Sequence, residues 1–200
     1  MKERTRNRSG PAEAAKDPRA FEEFYRRHVD AVTRFLSRRV DDPHTVADLT
    51  ADVFLAVIDS GHTYRRQLGD ERLWLYGVAR NIASSERRRA ARESDLGRRI
   101  AGHRLLEADD IARLEDRLAT ESAGRQALAS LAGLPEGERA LMELIAVDQL
   151  TTAEAAKALG ISKVAARVRL HRARKTLRAA AEAPAGAADA HRLTMPRSAS

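Results

Sequence analysis

Residues 151–177 run TTAEAAKALGISKVAARVRLHRARKTL, two helical segments that meet at a glycine. Thr151 and Glu154 stand at the T-x-x-E spacing of a capping box, which starts a helix. Ala155, Ala156 and Leu159 supply its apolar stripe, and the alanines are small enough to let another helix come close. Gly160 can take the left-handed conformation that ends a helix, and Ser162 can cap the next one. Two helices joined by a short Gly-containing turn make a helix-turn-helix. On the second helix Ala166, Leu170, Ala173 and Leu177 recur at i, i+4, i+7 and i+11 and mark the buried face. Val164, Val168, His171, Arg172 and Lys175 point the other way, with Lys163, Arg167, Arg169 and Arg174 on the flanks. Residues 163–178 hold seven Lys or Arg and no acid. A solvated basic face in a plain bundle is the competing reading, but unopposed positive charge on a second helix favours nucleic acid. Arginine can pair with guanine, and valine can touch the thymine methyl in the major groove.

Composition bounds the rest. Two hundred residues suit one or two small domains. A net charge of +7 and a sequence pI near 10.3 favour a polyanionic partner. The chain has no Cys, which excludes disulfides and thiolate metal sites. No apolar run is long enough for a bilayer, and the start, MKERTRNRSG, has no apolar signal core, so a soluble, cytoplasmic chain without membrane insertion is expected. All four Phe, all three Tyr and the single Trp lie between Phe21 and Tyr76. Two domains with differently built cores follow from that imbalance.

Outward from the opening stretch the pattern is helical throughout, and no strand is predicted. Residues 1–16 are polar and basic and are expected to be disordered. Asp17-Pro18 and Asp42-Pro43 each pair an N-cap with proline at the first helical position. The first of these helices carries Phe21, Phe24, Tyr25, His28, Val32, Phe35 and Leu36 on one face, with His28 read as a core-edge histidine. The second carries Val46, Leu49, Val53, Phe54, Val57 and Ile58. Asp70 caps a third helix that begins apolar and ends basic. Residues 94–121 form an acidic linker with a transient or docked helix, and segment 105–121 is expected to lie against the basic helices and screen them. Helices near 122–132 and 136–147 precede the helix-turn-helix, and residues 183–200 form an Ala/Pro/Gly-rich tail expected to be disordered.

Two further segments carry chemistry. Trp74 and Tyr76 sit beside Arg80, Asn81, Arg87 and Arg88. Aromatics next to cations suit unstacked bases, and an Asn amide can donate and accept at a base edge. Core packing competes for Trp74. The stretch from Asp41 to Asp59 has five Asp and no Lys or Arg, which points to a basic partner other than DNA. Asp48 and Asp52, at i and i+4, share a face. Paired carboxylates can hold Mg²⁺, but no third ligand or phosphate loop stands near them, so neither a metal site nor a cofactor is expected.

Four motifs in order carry a resemblance: DLTADVFLAV at 48–57, WLYGVARN at 74–81, LPEGER at 134–139, and RLHRAR at 169–174. Together they resemble the sigma-70 family of bacterial RNA polymerase initiation factors, the small extracytoplasmic-function (ECF) type. The resemblance implies an all-α fold of two small helical domains: a sigma region 2 bundle of three to four helices over 17–93 and a region 4 helix-turn-helix domain over 122–182, joined by linker 94–121. It implies a non-enzymatic factor that docks on core RNA polymerase, at the β′ clamp and β flap, and directs promoter-specific initiation. Region 2.2 falls on Asp48, Ala51, Asp52 and Phe54 as the polymerase contact. Regions 2.3 and 2.4 assign the −10 element to Tyr64, Arg80, Asn81, Arg87 and Arg88, with Asn81 handling a flipped base. Region 4.2 assigns the −35 duplex to Lys163, Val164, Arg167, Val168, Arg169, His171, Arg172 and Arg174. An anti-sigma factor is an expected partner by resemblance alone. The chain departs from the family at Ala51-Asp52, where Gln-Glu is common, at Val164-Ala165-Ala166, where Gly-Thr-Val is common, and at Val168, where a small polar residue is usual. A helix-turn-helix regulator acting without polymerase would explain 151–177 but not the acidic helix or the aromatic domain. A metal-dependent nuclease using the Asp cluster lacks a ligand constellation.

Overall fold

The computed structural model describes residues 10–65, 70–94 and 108–182. The expected disorder of 1–9 and 183–200, and the rest of the linker, lie outside these residues. Residues 10–16 are ordered, against expectation: α1 (Pro11–Ala14) packs on the following helix with Pro11 and Ala14 buried. The two Asp-Pro pairs behave as their chemistry dictates. Asp17 accepts from the Arg19 and Ala20 N–H groups at 3.3 and 3.2 Å and starts α2 (Pro18–Ser37). Asp42 accepts from the Thr45 N–H at 2.7 Å and starts α3 (Pro43–Ser60). Proline at the first helical position loses only an N–H that had no intrahelical partner. A 3-10 turn (Gly61–Thr63) follows, and then α4 (Glu71–Ser94), where the Asp70 carboxylate accepts from the Arg72 N–H at 2.9 Å.

The linker contributes α5 (Ala108–Thr120), which packs on α2 and α3. The second unit comprises α6 (Ser122–Ser130), α7 (Glu136–Met142), α8 (Thr152–Ala158) and α9 (Lys163–Glu182). The sequence pattern predicts one helix over 136–147. Instead α7 widens into a π-helical turn, Glu143–Val147, closed by the Leu150 N–H donating to the Leu144 carbonyl at 2.9 Å. No strand occurs among the described residues.

The two differently built halves meet in one core. Phe24, Phe35 and Leu36 of α2, Val46, Val53 and Val57 of α3 and Leu75 of α4 form one continuous cluster with Leu141, Leu144, Ala155, Ala156 and Ala166 of the second unit. A unit without aromatics closes its own core with alanines and presses the remainder onto the first. A small satellite of Leu131, Leu134 and Ala173 underlies α9. Among the described residues no helix is long and apolar enough to cross a membrane.

Candidate nucleic-acid and polymerase interfaces

The helix-turn-helix is built by local bonds. Thr151 Oγ1 accepts from the Glu154 N–H at 3.2 Å, and the Glu154 carboxylate accepts from the Thr151 N–H at 2.8 Å. These side-chain and backbone bonds to Thr151 hold the Glu154 carboxyl below its ordinary value. Gly160 has φ +63°, the left-handed conformation an L side chain resists. Ser162 Oγ then accepts from the Ala165 N–H at 3.1 Å and opens α9.

α9 presents the face its periodicity predicts. Ala166 and Ala173 are fully buried, whereas Val164 and Val168 are 69% and 45% exposed. Lys163, Arg167, His171, Arg172 and Arg174 are exposed beside them. Arg169 departs from this set. It is half-buried, and its guanidinium carbon lies 3.3 Å from the point a Cβ on Gly137 would occupy, so it packs on α7 of its own unit.

The second candidate surface is a cavity of about 330 Å³ where α4 meets α8. Tyr64, Trp74, Gly77, Val78 and Asn81 form one wall. Tyr64 and Trp74 meet edge to face with centroids 5.9 Å apart. The opposite wall is the helix-turn-helix turn itself: Lys157, Ala158, Leu159 and Gly160. Two arginines read as nucleic-acid contacts are engaged elsewhere. Arg80 is 7% exposed and donates to Glu136 Oε1 at 2.5 Å. Burial acts to raise the Glu136 carboxyl, but hydrogen bonds from Arg80 and Arg139 outweigh it and hold that carboxyl below its ordinary value. Arg87 donates to Glu143 Oε1 at 3.3 Å. Arg88 and Asn81 remain exposed.

Glu143 and its surroundings were missed by the sequence reading. It is fully buried, with Arg39 at 3.8 Å on one side and Arg139 at 3.8 Å on the other. Beside it Asp148 receives Arg39 at 2.6 Å and Arg38 at 3.2 Å. The Arg39 guanidinium also lies 3.5 Å over the Phe35 ring. An RR pair at the end of α2 gave no sign of its partners: Glu121 lies 83 residues beyond Arg38, and Asp148 lies 110 and 109 residues beyond Arg38 and Arg39.

On α3, Asp52 is exposed and Asp48 and Ala51 are half-buried. Phe54 requires correction as a partner contact. It is 3% exposed, with its ring 4.6 Å from Tyr25 and 6.4 Å from Phe21, because it falls on the same face as Val46, Val53 and Val57. Leu55 and Ile58, 50% and 42% exposed, stand there instead. The spacing contained the clue: Asp48, Asp52, Leu55 and Asp59 run at i, i+4, i+7 and i+11. The linker helix is also corrected. α5 lies on α2 and α3, not on the basic helices. Among the described residues no group of three or more His, Cys, Asp or Glu side chains stands as metal ligands would.

This arrangement defines an all-helical protein in which an aromatic, acid-flanked bundle is followed by a helix-turn-helix. The sigma-70 region 2 model matches residues 24–93, and the sigma-70 region 4 model matches residues 124–177. The ECF RNA polymerase sigma factor ShbA of Streptomyces griseus is 31% identical over 142 residues, covering 71% of this chain and 74% of ShbA. The ECF RNA polymerase sigma factor BldN of Streptomyces coelicolor is 26% identical over 159 residues, covering 79% of this chain and 59% of BldN. Among solved structures, CnrH in complex with the cytosolic domain of CnrY aligns with TM-score 0.52 and 27% identity, covering 86% of this chain and 95% of that one. The chain belongs to the ECF type of the sigma-70 family of RNA polymerase sigma factors.

Proposed function

We propose that the chain binds core RNA polymerase through α3 and directs promoter-specific initiation, with α9 on the −35 duplex and the Tyr64–Asn81 surface on the unpaired −10 strand. The observation that carries this reading is the coexistence of three surfaces of different chemistry in the family's order. An acidic stripe with exposed Leu55 comes first, an aromatic and amide wall second, and a cationic helix with two outward valines last. A regulator acting on DNA alone would need only the third. The chain supplies recognition and not bond-making chemistry. Melting draws on captured unstacked bases and polymerase contacts.

Val164 and Val168 at the centre of α9 favour thymine methyls at the matching −35 positions. Arg80 and Arg87 are held by Glu136 and Glu143 in this arrangement. On this reading, engagement of the −10 element requires α8 to leave α4. CnrH is seen with the cytosolic domain of CnrY, and a regulatory protein partner is proposed here by that analogy. The test is transcription from genomic promoters with core polymerase stripped of sigma factors. Specific starts that depend on the added protein are expected. Absence of both core binding and initiation would refute the reading.

A further inference from the structure

The linker helix α5 covers part of the α3 face assigned above to polymerase. Leu118 of α5 is buried in the shared core, and Leu114 packs against it. Arg117 donates to Asp30 of α2, to the carbonyl and to Oδ1, at 3.1 Å each. Between the three helices lies a cavity of about 480 Å³, and its walls set Ala47, Asp48 and Ala51 of α3 opposite Arg113, Leu114 and Arg117 of α5. α5 thus turns Leu114 and two arginines toward this face, with Arg113 paired to Asp110 of its own helix at 3.4 Å and Arg117 to Asp30 of α2, so that it covers Asp48 and Ala51 by position and not by an ion pair.

The seat is shallow. Two leucines anchor α5, and its ion pair to α2 involves an Asp30 carboxylate that is 80% exposed, a kind of contact that contributes little; the firmer tie, Glu121 to Arg38 at 2.6 Å, lies just past its C-terminal end and would act as the hinge about which α5 lifts. The gap beneath it is large enough to forfeit many packing contacts. A helix held this way is displaceable, and Asp52, Leu55 and Ile58 stay open beside it as a place for a partner to land first.

We propose that α5 is an intramolecular competitor for the polymerase-binding face of α3: it occupies the Asp48–Ala51 end in the free chain and must be displaced when core polymerase docks. The proposal rests on α3 being the polymerase contact. Apparent affinity then falls by the fraction of chains with α5 undocked.

The test measures binding of full-length variants to sigma-free core polymerase. Leu114→Gln with Arg117→Ala, both off the polymerase contact, should free α5, seen as faster amide exchange over 108–120, and tighten core binding about fivefold or more. In the opposite direction, Ala47→Cys with Leu114→Cys in this Cys-free chain can be bridged by a short bis-methanethiosulfonate before mixing. Bridging should weaken binding at least about tenfold, and reductant should restore it. Unchanged affinity in the loosened variant despite faster exchange, or in the bridged variant, overturns the competition. Asp52→Arg is read separately. Loss of binding in wild-type and loosened backgrounds supports the α3 reading, whereas retained binding sinks that reading and the competition with it.

Discussion

At the scale of single residues the most consequential is Gly77. A Cβ there would stand 2.4 Å from the Ala158 carbonyl oxygen, so α4 and α8 touch backbone to backbone. Two effects of Gly77→Ala oppose each other. Alanine stabilises a helix interior by about 1 kcal/mol over glycine. A methyl forced against a backbone carbonyl costs on the order of 1–3 kcal/mol, and backbone cannot swing aside as a side-chain tip can. The clash exists only while the two units are docked, whereas the propensity gain persists after they part. Gly77→Ala should therefore open the seam and leave α4 intact. Trp74, the single tryptophan, lines that seam and reports on it. Acrylamide quenching should rise in Gly77→Ala with helicity by circular dichroism unchanged. Gly133→Ala, where nothing lies within 4 Å of the new Cβ, serves as the control. Quenching that does not change would show that the contact is not limiting.

At the scale of elements, what is local was legible and what is distant was not. Asp17, Asp42, Thr151 and Ser162 reach backbone groups two or three residues away, so sequence spacing alone places them. The wheel of α9 was legible for the same reason. The sequence offers Arg80 and Arg87 to the −10 element because charge is visible in a sequence and its partner is not. Their carboxylates lie 56 residues on. The junction of α2 with the π-helical turn is the strongest instance. The Arg39 side chain is fully buried and its charge is answered by Asp148, itself 3% exposed. Removing one partner of such a pair strands the other in a low dielectric. Asp148→Ala should cost about 3–5 kcal/mol in urea denaturation. Asp42→Ala, which removes the cap of α3, should cost about 1 kcal/mol. Equal losses for the two would mean that water reaches Arg39 and that the junction is not a buried one.

At the scale of the whole molecule, docking of the second unit on the first joins three linked regions: the Gly77–Ala158 approach, the buried Arg39–Glu143–Asp148 cluster and the Arg80–Glu136 pair, whose arginine is buried and whose carboxylate is half exposed. Glu136 has a carboxyl held below its ordinary value near 4.5 by Arg80 and Arg139 after burial is overcome. A depressed carboxyl contributes docking free energy that is complete above the undocked value and is lost as pH falls through the docked one. Trp74 quenching in the wild type should thus be flat from neutrality down to the ordinary carboxylate range and should climb as pH falls below 4.5, by the part of the depression that Arg80 supplies across the seam, since Arg139 stays beside Glu136 on α7 after undocking. Glu71, lowered by His28 and Arg27 against the effect of burial, also titrates there, but it joins α4 to α2 inside the first unit. Glu136→Gln separates the two. Its carboxylate is half exposed, so the pair contributes no more than about 1 kcal/mol, and the variant should open the seam at pH 7 by roughly fivefold in population at most. It should also lose the part of the acid response that belongs to the seam and keep the part that belongs to Glu71. A Glu136→Gln protein whose quenching matches the wild type at every pH would move control of docking to the buried cluster around Glu143.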